Sequence, residues 1–298
     1  MAHATPPLHI DSHLAHLLIQ EQFPEYADLP ITSVEKQGHD NRTYRLGKGL
    51  LIRLPTAESY ALKVPKEQAL LPKLAPHLTL RIPSPIKMGV ASSKYPYPFS
   101  IYAWIDGKSL NQIRLDDRQL ESIAPDLALF LRELQDIKDV DGPPPGQHNW
   151  WRGDHVSVYD KDAREQIAAL STWLDASKAL HLWETASETR WNKEPFWIHG
   201  DFAPGNILMH NGKVSAVIDF GGMGVGDPAC DLVIAWTLLH AKARKAFIHA
   251  LNLDEATWLR ARAWALWKAT FELCSIADKQ SSAAQEHLKI VNAVLSDS

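Results

Sequence analysis

The run His199-Gly200-Asp201-Phe202-Ala203-Pro204-Gly205-Asn206 is followed, thirteen residues after Asn206, by Asp219 in Ile218-Asp219-Phe220-Gly221. Two carboxylates and an amide at this spacing suit phosphoryl transfer, where a protein positions groups and stabilises charge. Oxygen donors of this kind are hard ligands that match magnesium. The work divides among them: Asp201 takes or orients the proton of an acceptor hydroxyl, while Asn206 and Asp219 hold Mg2+ on the phosphates of ATP. Read singly, Asp201 is a loop carboxylate capping a turn, Asn206 a turn amide and Asp219 a strand-end carboxylate. Their combination outweighs those readings. His199 reads as a structural ring whose hydrogen bonds hold the loop.

Such a set needs a scaffold that returns Asp219 to the neighbourhood of Asn206. Trp197-Ile198 and Ile207-Leu208-Met209 are strand-like runs on either side of the loop, and Asn211-Gly212 is a hairpin turn signal leading into 214–218. A hairpin therefore delivers Asp219. Gly205 and Gly221 are read as positions of backbone freedom near phosphate or metal. Beyond them, Asp227 and Pro228 form a helix N-cap and first helical position, and Asp231 is placed to satisfy further loop amides.

Upstream, Asp11 and Ser12 precede Leu14, Leu17 and Leu18 at helical spacing, which predicts a short amphipathic helix. Its His9, His13 and His16 read as solvated rather than metal-binding. Residues 31–55 predict three antiparallel strands with turns at Gln37-Gly38 and Gly47-Lys48-Gly49, and 82–90 and 99–105 two more strands. Between them 57–78 reads as a helix with Leu70, Leu71, Leu74 and Leu78 near one face, interrupted by Pro65 and Pro72. Helical periodicity then recurs at 120–137, 163–174, 179–190, 229–239, 256–276 and 282–295. Composition and periodicity thus predict an α+β enzyme in two parts, 1–105 and 106–298.

With 298 residues, 45% of them hydrophobic, the chain can fill a sizeable core. A net charge of -4 and the lack of a basic run exclude an electrostatic footprint for nucleic acid. No apolar run is long enough to span a bilayer, so no membrane partner is expected. Cys230 and Cys274, far apart in helical segments, read as reduced, buried thiols in a cytoplasmic protein.

The motifs His-Gly-Asp-x4-Asn, Ile-Asp-Phe-Gly and the later Gly226-Asp227-Pro228-Ala229-Cys230-Asp231-Leu232 resemble those of the aminoglycoside phosphotransferase-like family of small-molecule kinases, which includes macrolide phosphotransferase-like members. The likeness extends back to 38–46. It implies a bilobal protein-kinase-like fold with a small antiparallel-sheet N-lobe carrying one main helix and a larger, mostly helical C-lobe. It also implies Asp201 as catalytic aspartate, Asn206 and Asp219 as magnesium ligands, and ATP or GTP as donor. On the nucleotide side it points to Arg53, where many kinases have lysine, supported by Glu67. Asn41 and Thr43 are then the phosphate cover, and backbone groups of Ala103 and Ile105 the adenine contacts.

The expected activity is transfer of a γ-phosphate to a hydroxyl of an aminoglycoside, macrolide or similar small molecule. A polycationic acceptor calls for an acidic wall, and Glu272, Asp278, Glu286 and Asp297 are interspersed with Lys268, Lys279 and Lys289. A housekeeping amino-alcohol or metabolite kinase therefore stays open, as does a nucleotide-binding module without turnover. A protein acceptor is disfavoured, because only seven residues separate Asp219 from Asp227. Trp264 and Trp267, at helical spacing, read as core, and Arg152 with Asp154 as a pair that organises its loop.

Overall fold

The computed structural model describes residues 9–35 and 37–297. The chain forms two compact units, one of residues 1–76 and 81–106, the other of 77–80 and 107–298.

In the first unit, helix α1 (Ser12–Gln22) starts where its N-cap Asp11 accepts a hydrogen bond from the Leu14 amide. Five strands follow: β1 (Ile31–Ser33), β2 (Asn41–Leu46), β3 (Leu50–Pro55), β4 (Pro85–Gly89) and β5 (Phe99–Ala103). They pair antiparallel in the order β1-β2-β3-β5-β4. One face buries Tyr44, Leu46, Ile52, Leu54 and Ile101 against Ala15, Leu18 and Ile19 of α1. Alternation along the strands sends Thr43, Arg53 and Ser100 to the other face, because they occupy matched positions on three adjacent strands. The segment expected as one helix is divided into α2 (Glu58–Ala61) and α3 (Lys63–Leu74). Leu71 and Leu74 are buried, but Leu70 is not and Leu78 lies beyond the helix in the other unit.

The second unit opens with β6 (Lys108–Ser109) and α4 (Asp117–Gln135), the latter started by a capping box between Asp116 and Gln119. Helices α5 (Asp160–Ala169) and α6 (Ala176–Ser187) precede β7 (Phe196–Ile198), β8 (Ile207–His210), β9 (Lys213–Val217) and β10 (Gly224–Gly226). The strands form two small antiparallel sheets, β6-β8-β9 and β10-β7. Asn211 and Gly212, both at positive φ, make the tight turn between β8 and β9. Four helices complete the unit: α7 (Ile234–Thr237), α8 (Ala241–Leu251), α9 (Glu255–Ser275) and α10 (Ser282–Ser296).

Three expectations differ from what is seen here. The helix expected over 229–239 is a 3-10 run, Pro228–Val233, continued by the single turn of α7. Its residues from Pro228 to Val233 are all buried, and tight winding lets Asp231 bond inward. Helix α8 was not anticipated, although Ala243, Phe247 and Leu251 form its buried stripe at intervals of four. Cys230 is buried as expected, whereas Cys274, in the last turn of α9, is exposed.

Candidate functional site

In the first unit, Arg53 approaches Glu67 of α3 with 3.6 Å between Nη1 and Oε2. Their side chains are only 18% and 6% exposed, so water does little to weaken the pair. The Tyr102 hydroxyl also donates to Glu67 Oε2, and burial together with that carboxylate pushes the phenol well above its usual range. Glu67 thus anchors a guanidinium on the sheet face shared by Thr43 and Ser100. Thr43 is fixed through its backbone, its N–H donating to the Gln37 side chain and its C=O accepting from it, both at 2.8 Å. Asn41 starts β2 opposite Pro55.

Ala103 ends β5 with its N–H bonded to Ser84 O. Ile105, two residues on, is buried and makes no backbone hydrogen bond among the described residues. Sequence reasoning missed Lys63, a buried α3 lysine whose ammonium lies 2.6 Å from Asp40 Oδ2. The signal was its place four residues before Glu67, one helical turn away.

In the second unit the loop after β7 carries the candidate catalytic residue Asp201. Gly200 has φ of +82°, and a Cβ there would lie 2.1 Å from Gly222 O. Only glycine fits, so this position, rather than Gly205 or Gly221, is where backbone freedom matters: neither of those two has positive φ. The fully buried His199 donates from Nε2 toward Ile218 O at 3.0 Å and accepts the Asp201 N–H at Nδ1 at 3.2 Å. These bonds set its tautomer and tie the loop to the end of β9, the structural part foreseen for it.

Beneath the loop, Asp231 accepts the amides of His199 at 2.6 Å and Gly200 at 2.8 Å. Burial pushes its carboxyl up, against the pull of His199 and the two amides. Asp227 caps the 3-10 run through the Ala229 amide at 3.0 Å. It also pairs with Arg260 of α9, Nε to Oδ2 at 2.5 Å, with both groups buried. Asp227 and Asp231 are thus the scaffold the motif suggested, and Arg260 is the partner that sequence spacing did not reveal.

Asn206 closes the loop on itself, its Nδ2 donating to Asp201 O at 2.9 Å and to Asp201 Oδ2 at 3.0 Å. That orientation leaves the amide oxygen of Asn206 without a donor among the described residues. Its carbonyl accepts the Ile218 amide at 2.8 Å, which brings the residue before Asp219 alongside Asn206. Asp219 itself is left-handed, φ 65°, an unusual conformation for a residue with a side chain. Asn206 and Asp219 thus stand at adjoining strand ends, and an amide oxygen and a carboxylate are donor types suited to magnesium.

Asp201 Oδ1 bonds the ammonium of Lys268 on α9. Burial raises its carboxyl, but Lys268, through charge and hydrogen bond, outweighs this and holds it down at about 2. Asp201 is therefore a carboxylate at any working pH, although its side chain remains 46% exposed. A small cleft opens beside it, lined by Arg152, Lys268, Trp264 and Trp267 among others. Arg152 is not paired with Asp154 as expected: its guanidinium lies over Tyr159, Trp264 and Trp267, 4.9 Å from the last ring centroid. Asp154 instead accepts the His155 amide. Trp264 and Trp267 are buried, as predicted, yet they also form a wall of this cleft.

The same architecture occurs in solved phosphotransferase structures. The GDP and kanamycin complex of APH(2")-IIIa superposes with a TM-score of 0.72 at 20% identity, over 95% of this chain and 98% of that one. A thermostable mutant of aminoglycoside phosphotransferase APH(4)-Ia, in ternary complex with ADP and hygromycin B, gives 0.63 at 17%, over 93% and 97%. The ADP-bound aminoglycoside phosphotransferase APH(2'')-Ib gives 0.59 at 18%, over 96% and 97%. The expected bilobal kinase-like fold is thereby established. No curated protein sequence gave a match. The pattern of the phosphotransferase enzyme family matches residues 33–264, more than half of the sequence, and the chain belongs to that family.

Proposed function

We propose that this protein is a magnesium-dependent O-phosphotransferase that moves the γ-phosphate of ATP or GTP to a hydroxyl of a small molecule. The observation that carries this reading is the Asp201 carboxylate, ionised by Lys268 and oriented by Asn206 at the edge of a cleft. In the reaction an acceptor hydroxyl oxygen forms the new bond to the γ-phosphorus as the bond to the β,γ-bridging oxygen breaks. The nucleoside diphosphate leaves, and the hydroxyl proton passes to solvent. Asp201, acidic at about 2, orients that hydroxyl and accepts its hydrogen bond without retaining the proton. Magnesium, when bound, neutralises charge on the phosphates, and Asn206 and Asp219 are the residues that would hold it.

Arg53, braced by Glu67, is suited to bind the α- and β-phosphates, because a guanidinium bonds phosphate and carboxylate in the same bidentate manner. Asn41 and Thr43 would cover the phosphates, and Ile105 and Ala103 offer backbone groups to a purine. The solved relatives hold GDP or ADP with kanamycin or hygromycin B, which makes aminoglycosides one acceptor class to assay. Macrolides and amino alcohols are others. No helix among the described residues is long and apolar enough to cross a membrane, and we assign the enzyme to the cytoplasm.

The test is acceptor-dependent ADP or GDP release with the Mg nucleotides, comparing wild type with Asp201→Asn. Loss of about 10² or more in turnover with nucleotide binding retained is expected. Equal turnover would refute the role of Asp201. Nucleotide binding with no release under any condition would indicate the binding module without turnover.

A further inference from the structure

The lining of the cleft beside Asp201 is more basic than acidic. Lys268 and Arg152 bring two fixed positive charges to it. Among the described residues Arg152 has no carboxylate partner, only a long 3.5 Å contact with the Tyr159 hydroxyl. The indole N–H groups of Trp264 and Trp267 are buried and have no acceptor among those residues either. These residues are only 3% and 6% exposed, so bulk water does not satisfy them. Against the two cations the cleft lining sets a single anion, Asp201, which Lys268 already pairs.

The aromatic surface is also committed. A cage of Tyr159, Trp264 and Trp267 would suit an ammonium ligand, but the chain's own Arg152 guanidinium occupies it at 4.9 to 5.7 Å. A cationic acceptor would meet that charge and Lys268 together. Phe271 continues the aromatic wall outward, stacked on Trp267 with centroids 5.8 Å apart and itself exposed. An apolar body has a surface to lie on.

We propose that the acceptor is a hydroxy acid with an apolar body rather than a polycation, and that its carboxylate takes Arg152 and replaces Asp201 as the partner of Lys268. This rests on the phosphotransferase reading above. Asp201 is the template: it shows that Lys268 holds a carboxylate at this place. The exchange frees Asp201 Oδ1 for the acceptor hydroxyl only when an anion is present, so binding of the right acceptor unmasks the catalytic carboxylate.

A matched trio tests this: 3-phenyllactate, its methyl ester, and phenylalaninol, which carries an amine in place of the acid. Binding is followed by tryptophan fluorescence and turnover by ADP release. Mg-ATP binding without any acceptor reports the nucleotide site separately. The acid should bind about tenfold or more tightly than the ester or the amine, as a charge-assisted contact implies, and alone should stimulate ADP release. Arg152→Gln should raise KM for the acid about tenfold, and Arg152→Lys should recover part of it. A response equal for all three probes, no response included, or a preference for the amine overturns the proposal, and Mg-ATP binding that persists leaves the parent reading standing. Loss of Mg-ATP binding in Arg152→Gln also overturns it, by assigning the cation to the nucleotide. Failure of wild type to bind Mg-ATP refutes the parent reading instead.

Discussion

Replacing Asp231 by asparagine should be far more damaging than its single-atom change suggests. The carboxylate accepts two backbone amides, from His199 at 2.6 Å and Gly200 at 2.8 Å, in a site only 1% exposed. An asparagine keeps one acceptor and turns an NH2 toward the second amide. A buried donor left without a partner costs about 1–3 kcal/mol, and loss of the charge on the remaining bond adds up to about 1 kcal/mol. Relief from burying a carboxylate, whose acidity burial already weakens, returns part of this. A net loss of about 2 kcal/mol follows, or roughly 4–8 °C in Tm for a unit of this size. Thermal melts read by tryptophan fluorescence, with urea titrations to check that the m-value is unchanged, would measure it. Asp162→Asn, on an exposed position of α5, is the control and should stay within about 0.5 kcal/mol. Because Gly200 leads directly into Asp201, turnover in Asp231→Asn should fall by about 10² as the loop shifts. A variant that melts within 1 °C of wild type, taking ~1 °C as the resolution of the assay, with turnover unchanged, would refute the idea that Asp231 holds the catalytic loop.

Gly200→Ala meets both a positive φ and Gly222 O at 2.1 Å, so a loss of about 3 kcal/mol or more is expected, visible as a lowered urea midpoint. Glu67→Gln removes the charge that anchors Arg53 and should raise KM for Mg-ATP about tenfold while acceptor KM stays put, as steady-state kinetics in both substrates would show. The Asp201–Lys268 pair has a pH signature. A carboxyl at about 2 in the folded chain and ~3.9 unfolded adds stability that is complete above the unfolded value and is lost as pH falls through about 2. The stability difference between wild type and Lys268→Met should therefore be largest well above the carboxylate range and should shrink on acidification toward about 2. A difference that grows with acid would contradict the pairing.

The local parts of this fold were legible because each rests on neighbours in sequence. Asp11 caps α1 from three residues away, Asn211-Gly212 turns the hairpin, and Asp227 caps the run beginning at Pro228. The spacing from Asp201 to Asn206 likewise reflects a short loop that bonds to itself. What escaped is long-range. Lys268 reaches Asp201 across 67 positions and Arg260 reaches Asp227 across 33, and both lie on α9 among residues that read as ordinary packing or mixed surface. Arg152 was coupled to Asp154 by proximity in sequence, whereas its real companions, Trp264 and Trp267, come from that same helix. Helix α9 is thus where the pattern spoke of burial and the fold added chemistry. The 3-10 run at Pro228–Val233 was misjudged for a related reason: every residue in it is buried, so no polar stripe marks its period.

The β8–β9 hairpin has its proposed magnesium ligands at one end only. Asn206 and Ile218 are bonded across its open end, while the Asn211–Gly212 turn lies at the opposite tip, with open space where a Gly212 side chain would project. Lengthening a hairpin at its tip by matched pairs of residues leaves the register at its base unchanged. The tip is therefore a natural insertion point, where an epitope, a reporter peptide or an extra recognition loop can be grafted without moving either proposed magnesium ligand. The same separation lets such chains diversify the tip while the bonded base is kept.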